Sequence, residues 1–148
     1  MDMLSPDSGL DLSDESWPIY ARSVDAPPIY MGGDSHVSHS AINRGCDIEG
    51  TVENSVLSPR VTIEKGARVS YSVILPGVTV EAGSVIEYAI IGEGCHIGRE
   101  CRVGGTPENT APAPWGLTVL APGCVLEEGQ TVAPGIMLDR DGKEVSRK

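Results

Sequence analysis

The chain has 148 residues, a formal net charge of −10, 4% aromatic residues and no phenylalanine. At this length one hydrophobic core is expected, and the shortage of aromatics suits a narrow interior lined by aliphatic side chains. The acidic balance argues against a nucleic-acid partner, since phosphate contacts need a basic face, and no stretch is long and apolar enough to span a membrane as a helix.

Residues 1–35 read as an acidic tail and an extended connector. Asp2, Asp7, Asp11, Asp14 and Glu15 are the wrong start for a secretory signal, which needs a basic and then an apolar stretch, so a cytoplasmic address is expected. Trp17-Pro18-Ile19-Tyr20 and Pro27-Pro28 follow. Proline removes backbone donors and biases its neighbours toward extended conformations.

Residues 36–138 carry a repeat. Asn54-Ser-Val-Leu-Ser-Pro-Arg-Val-Thr-Ile-Glu64 aligns with Tyr71-Ser-Val-Ile-Leu-Pro-Gly-Val-Thr-Val-Glu81 and with Tyr88-Ala-Ile-Ile-Gly-Glu-Gly-Cys-His-Ile-Gly98, offset by seventeen residues each time. Inside each unit aliphatic residues recur six apart: Ile42/Ile48, Ile63/Val69, Val80/Ile86, Ile97/Val103 and Leu126/Val132. Glycine follows the first member of four of these pairs by three residues, at Gly45, Gly66, Gly83 and Gly129. A hexad with a turn glycine is the pattern of a parallel β-helix, in which no coil can bury its apolar side without neighbours above and below. Val61-Thr62-Ile63, Val78-Thr79-Val80 and Cys95-His96-Ile97 alternate as half-buried strands must. Two inward columns are expected, Val61/Val78/Cys95 and Ile63/Val80/Ile97. No segment holds a 3.6-residue apolar period, and glycine recurs too often for helix.

A loop insertion at about residues 105–117, ending in Pro-Ala-Pro-Trp115-Gly, interrupts the hexads and is long enough to suspect a role. They resume at Ala121-Pro-Gly-Cys-Val-Leu-Glu127. Residues 139–148 form a charged tail expected to fray.

The four cysteines are expected as core thiols, because free cysteine packs as a small hydrophobe. Cys46 and Cys101 follow Ile42 and Ile97 by four residues; Cys95 and Cys124 precede Ile97 and Leu126 by two. A Cys95–Cys124 bridge between stacked strands is the alternative, one that a reducing compartment disfavours. No C-x-x-C pair is present, which argues against structural zinc.

The residues that could carry chemistry are few. Parallel β-helices host acyltransferases with a histidine base and carbonic anhydrases with three zinc-binding histidines. Here His36 and His39 precede the regular coils, and His96 stands alone on an outward strand position, with nothing in the sequence marking a carboxylate to orient it. No P-loop, Rossmann glycine motif or G-x-S-x-G elbow is present. Lys65 and Arg99 share one register column, as do Arg68 and Arg102. They are either a basic ridge for a phosphate-bearing metabolite or, with Glu64, Glu81 and Glu100 beside them, an ordinary solvated edge. Tyr71 and Tyr88 stack with Asn54 in one column, through cross-strand aromatic packing or at a subunit contact.

A resemblance adds to this reading. Ser16-Trp17-Pro18-Ile19-Tyr20 with Pro27-Pro28, then Ser40-Ala-Ile-Asn-Arg-Gly-Cys46-Asp-Ile-Glu-Gly-Thr-Val52-Glu-Asn-Ser-Val56-Leu, resembles the C-terminal part of bacterial glucose-1-phosphate adenylyltransferase over roughly residues 15–138. Met1-Asp-Met-Leu4 is similar to the stretch that joins the two domains of that family. The hexapeptide repeats resemble those of left-handed parallel β-helices, and the left hand is implied by that likeness alone. The resemblance implies a regulatory and oligomerisation domain, non-catalytic by itself, of a catalytic or a non-catalytic paralogous subunit. Its implied partners are a nucleotidyltransferase domain of the same protein, further subunits in a homo- or hetero-oligomer, and a phosphorylated metabolite. No cofactor is implied for this chain; ATP and Mg²⁺ belong to the catalytic domain, whose motifs are absent here. Where some members carry a basic residue in the Ile-x-x-x-Cys turn, this chain has Gly92-Glu93-Gly94, which argues against AMP-type inhibition through that coil. The alternatives from other classes are a free-standing hexapeptide acyltransferase with His96 as base and a purely structural scaffold.

Overall fold

The computed structural model describes residue 16, residues 25–105 and residues 117–145. Its eighteen strands form a solenoid of six coils, three short strands to a coil. The first coil holds β1 (Tyr30–Met31), β2 (His36–Ser38) and β3 (Ala41–Ile42); the second β4 (Asp47–Ile48), β5 (Thr51–Glu53) and β6 (Val56–Leu57). The third holds β7 (Thr62–Ile63), β8 (Arg68–Ser70) and β9 (Val73–Ile74); the fourth β10 (Thr79–Val80), β11 (Val85–Glu87) and β12 (Ala89–Ile91). The fifth holds β13 (His96–Ile97), β14 (Arg102–Gly104) and β15 (Thr118–Leu120); the sixth β16 (Val125–Leu126), β17 (Thr131–Val132) and β18 (Met137–Leu138). Each strand pairs in parallel with its counterparts one coil away, so three six-stranded sheets wall one core.

The seventeen-residue offset is the register itself. Thr62 pairs with Thr79 and Thr79 with His96, so Ile63, Val80 and Ile97 stack inward, all fully buried. Val61, Val78 and Cys95 form a second buried column. Since Asp47 pairs with Thr62 and His96 with Val125, that column continues to Cys46 at one end and Cys124 at the other. Cys46 thus lies at the corner before the first sheet, whereas Cys101 lies after it, between β13 and β14. The shared spacing of these two cysteines from Ile42 and Ile97 therefore describes two different corners.

Corners set the coil lengths. Between β4 and β5 only Glu49 and Gly50 intervene, whereas four residues separate β7 from β8. The tight turn brings Gly50 against the carbonyls of Ala67 and Glu64, where a Cβ would collide with the Ala67 oxygen. The corner leading to the third sheet has another solution. His39, Asn54, Tyr71 and Tyr88 take left-handed conformations there, with φ of 45°, 47°, 47° and 47°. A non-glycine residue in that region costs about 1–2 kcal/mol. A hydrogen-bonded ladder offsets it: the Ser55 amide donates to Ser40 Oγ, the Ser72 amide to Ser55 Oγ and the Ala89 amide to Ser72 Oγ, at 3.1, 3.1 and 3.2 Å. The Tyr71 and Tyr88 rings stack with centroids 4.8 Å apart and planes within 6°. The tyrosine column is therefore a corner stack rather than a cross-strand pair.

Two boundaries differ from the sequence reading. The solenoid begins at Tyr30 rather than at residue 36, because β1 pairs with β4. The charged tail does not fray at Asp139. Its carboxylate accepts from the Asp141 and Lys143 amides at 2.9 and 2.8 Å, and the Val145 amide donates to the Met137 carbonyl at 2.7 Å. Leu138 and Glu144 thereby form an antiparallel bridge that folds back over the last coil, the kind of terminal cap that solenoids need. Trp17–Tyr20, Met1–Leu4 and residues 106–116 lie outside the described residues.

Candidate functional site

The outer wall of the first sheet carries a histidine–carboxylate pair at hydrogen-bond distance. His96 on β13 sits beside Thr79 of the coil above. Glu81, two residues past Thr79, is its diagonal neighbour, and such neighbours are within reach of long side chains. His96 Nε2 and Glu81 Oε1 are 2.7 Å apart. The other carboxylate oxygen, Oε2, lies 3.9 Å from Arg99 Nε. The histidine side chain is 45% exposed and that of Glu81 28%. A carboxylate so placed fixes the orientation of the ring, the geometric requirement for a histidine that takes a proton from a group arriving from solvent. Sequence reasoning found the histidine but no partner for it; the signal was a fifteen-residue separation, the register offset less one diagonal step.

The four basic candidates divide into two pairs. Lys65 and Arg99 lie at the corner between the first and second sheets, each beside a carboxylate: Lys65 Nζ is 3.4 Å from Asp34 Oδ2, and Arg99 faces Glu81. Arg68 and Arg102 stand on β8 and β14, both in register with Val85. Both are exposed, and among the described residues neither has a salt-bridge partner. Glu100, in the left-handed region at φ 54°, turns its carboxylate over Gly83, and Glu64 Oε2 accepts from the Ala82 amide at 3.0 Å. Two of the acidic neighbours are thus committed to the corner backbone rather than to the arginines.

The remaining candidates are structural. His36 Nε2 is 4.0 Å from Glu53 Oε1 on an exposed strand, and His39 is a corner residue. No three histidines, cysteines or carboxylates of the described residues converge as a metal site. All four cysteines are free and buried, with no bridge between Cys95 and Cys124. Burial pushes every one of these thiols above its ordinary pKa. Cys46, Cys95 and Cys101 donate to the carbonyls of Ser58, Ala121 and Glu127 at 3.2, 3.1 and 2.9 Å. Protonated, buried and hydrogen-bonded thiols are packing groups, not nucleophiles. No helix of the described residues is long and apolar enough to cross a membrane.

Comparison with known proteins places this surface in context. Residues 30–126 match the model of the family described as GlmU-like, C-terminal hexapeptide. The chain belongs to that family. It is 49% identical over 69 residues to a glucose-1-phosphate adenylyltransferase of Geobacillus stearothermophilus, and 44% identical over 69 residues to one of Bacillus mycoides. Each match covers 47% of this chain but only 18% of the relative, so the chain spans a small part of those proteins. Among solved structures it is similar to the acetyltransferase domain of PglB from Neisseria gonorrhoeae, in complex with acetyl coenzyme A. That match has a TM-score of 0.54 at 17% identity, covering 81% of this chain and 58% of that one. A variant perosamine N-acetyltransferase from Caulobacter crescentus, in complex with CoA and GDP-perosamine, matches with a TM-score of 0.60 at 12% identity. Here 82% of this chain and 58% of that one are covered. At such identities the likeness is one of fold alone.

Proposed function

We propose that this chain is the regulatory and oligomerisation domain of a glucose-1-phosphate adenylyltransferase, the enzyme of glycogen synthesis that makes ADP-glucose and pyrophosphate from ATP and glucose 1-phosphate. The observation that carries the reading is the 49% identity over 69 residues, against 12–17% to the acetyltransferases that share the fold. ATP, Mg²⁺ and the chemical step belong to a nucleotidyltransferase domain that packs against this one. On this reading the domain holds a phosphorylated metabolite through its basic residues. Arg68 and Arg102 are the better pair, since both are exposed and free of carboxylates within salt-bridge distance, and guanidinium–phosphate contacts are of the strong, charge-assisted kind. Lys65 and Arg99 serve at the adjoining corner.

A second reading rests on one observation, the 2.7 Å contact between His96 and Glu81. A histidine base oriented by a carboxylate on the outer wall of a β-helix could deprotonate an acceptor amine or hydroxyl for acetyl transfer. One pair of assays separates the readings. Purified chain is incubated with ATP, Mg²⁺ and glucose 1-phosphate, and separately with acetyl coenzyme A and amino sugars. The regulatory reading expects neither pyrophosphate nor free coenzyme A thiol. Thiol release that scales with protein and is lost in His96→Ala and Glu81→Gln would establish the second reading instead.

A further inference from the structure

The corner between the second and third sheets carries one flat side chain per coil until the fifth coil, where the row stops. Asn54, Tyr71 and Tyr88 follow β5, β8 and β11 and share one left-handed conformation. Glu87 pairs with Gly104, so the next rung falls to Gly105, which has no side chain. Tyr71 covers one face of the Tyr88 ring, with centroids 4.8 Å apart, and the other face is turned toward that missing rung. Gly105 itself lies against Pro134 of the sixth coil. A Cβ on it would stand 3.2 Å from Pro134 Cγ, with no other atom of the described residues within 4 Å. Tyr88 and Pro134 are therefore two rungs apart, about 9.6 Å at one strand spacing of about 4.8 Å per rung, which leaves room for one ring between them. Gly104 keeps the floor bare as well: at φ 73°, a Cβ on it would strike the Glu87 carbonyl.

Two charges border this notch, and neither is answered within the chain. Arg102, two residues before Gly104 on β14, is exposed. It pairs with Val85, which makes Glu87 its diagonal neighbour, yet the two form no salt bridge. Among the described residues neither side chain has a hydrogen-bonded or ionic partner. A simple anion drawn to Arg102 meets the like charge of Glu87 beside it. A carboxylate accepts hydrogen bonds and donates none. A ligand that satisfies both groups therefore carries negative charge at one end and hydroxyl donors at the other.

We propose that this notch binds a monosaccharide phosphate, with the phosphate on Arg102, ring hydroxyls on Glu87 and a C–H face of the sugar on the open face of Tyr88. The arginine contact is charge-assisted and of the strong kind, and the aromatic face supplies apolar contact area of fixed orientation. Arg102 and Gly104 lie about 6.6 Å apart along the strand, a span that one hexose phosphate covers. The inference rests on the effector reading above and deepens it. Arg102 supplies attraction for any phosphate; Tyr88 and Glu87 select the sugar ester.

Amide resonances of the full chain, followed in nitrogen–proton correlation spectra as glucose 6-phosphate is added, test it. Titration to about 20 mM suffices, because a shallow notch is expected to hold the ligand at about 1 mM. The amides of Tyr88, Gly104 and Gly105 are expected to shift together and to saturate. Inorganic phosphate and glucose, each added alone over the same range, are expected to leave Gly105 unmoved. Two variants remove the notch in different ways. Tyr88→Asn installs a residue that this corner already holds in the left-handed region at Asn54, and Gly105→Leu fills the notch from its floor. Each is expected to weaken binding about fivefold or more, with the resonances of the core strands unchanged. Equal shifts of Gly105 with inorganic phosphate overturn the proposal, as does an unaltered affinity in Tyr88→Asn. Shifts confined to Arg68 and Arg102 overturn the notch and leave the effector reading standing, since that reading needs only the arginines. The adenylyltransferase assignment is decided separately by the pyrophosphate and thiol assays.

Discussion

Replacing Val80 by aspartate tests the stacking register at its centre. Val80 is fully buried between Ile63 and Ile97, its partners in the coils on either side. A carboxyl group there has no partner and must either ionise in an apolar column or hold its proton. Full burial raises a carboxyl pKa by up to about 3–5 units, to about neutrality or above, so at pH 7 the group holds its proton. At about 1.36 kcal/mol for each of the roughly three units between its unfolded value of about 3.9 and pH 7, that costs about 4 kcal/mol, before the burial of the neutral carboxyl and the lost valine packing. Typical domains have about 5–15 kcal/mol to lose, so Val80→Asp is expected to be unfolded or close to it at pH 7. The sign follows from linkage. An acid whose pKa is raised on folding opposes folding above its unfolded value of about 3.9 and ceases to do so below it. Urea melts should therefore show the gap between variant and wild type narrowing from pH 7 to pH 4. Thr79→Asp, one residue earlier on the outer wall, should change stability by under about 1 kcal/mol. A Thr79 variant weaker than the Val80 variant would refute the register and every inward assignment derived from it.

Other outcomes follow from the corners and the core. Gly50→Ala should cost about 1–3 kcal/mol of overpacking in thermal melts, because its Cβ would strike the Ala67 carbonyl; a neutral result would mean that the short corner is wrongly drawn. The four thiols, raised by burial, favour the folded state only while protonated. Their contribution is complete below the unfolded thiol value of about 8.5 and is lost as pH rises toward the folded one. Replacing Cys95 by alanine should therefore flatten the alkaline decline in stability, read from urea midpoints between about pH 8 and pH 10. Arg60 occupies a left-handed corner at φ 62° and donates through Nη2 to the Asp25 carbonyl at 2.6 Å, while the Gly45 amide donates to Pro27 at 2.8 Å. Arg60→Gly should speed hydrogen exchange at the Gly45 amide about tenfold or more, with the Glu64 amide in the core unchanged. Equal rates at Gly45 would show that Arg60 does not fasten the entering chain.

The sequence and the structure agree where one period governs. Ile63, Val80 and Ile97 stack because seventeen residues close one coil, and that spacing is plain in the chain. Features that depend on a diagonal step or on the end of the repeat were harder to read. Glu81 reaches His96 across fifteen residues, a separation with no mark in the hexads. The first coils are less regular: only fifteen residues separate Asp47 from Thr62, its register partner, since the Gly50 corner is shorter; Tyr30 lies the regular seventeen residues before Asp47, but no aliphatic hexad marks β1. The fold-back of Asp139–Val145 depends on one carboxylate accepting from two local amides, a turn that a charged tail conceals. Val56, Val73 and Ile90 were visible as part of the repeat; that they face outward became clear only once Leu57, Ile74 and Ile91 were seen to take the core positions.

The central claim is that this chain completes an adenylyltransferase without supplying its chemistry. The direct test fuses it behind the nucleotidyltransferase part of the Geobacillus stearothermophilus relative, in place of the region it matches there, and measures ADP-glucose formation as a sugar phosphate is titrated in. The account predicts an active fusion whose half-saturation by the sugar phosphate rises when Arg68 and Arg102 are both replaced by alanine, with activity in its absence unchanged. A fusion that does not respond to the sugar phosphate, or one whose response is the same with and without those arginines, would contradict it.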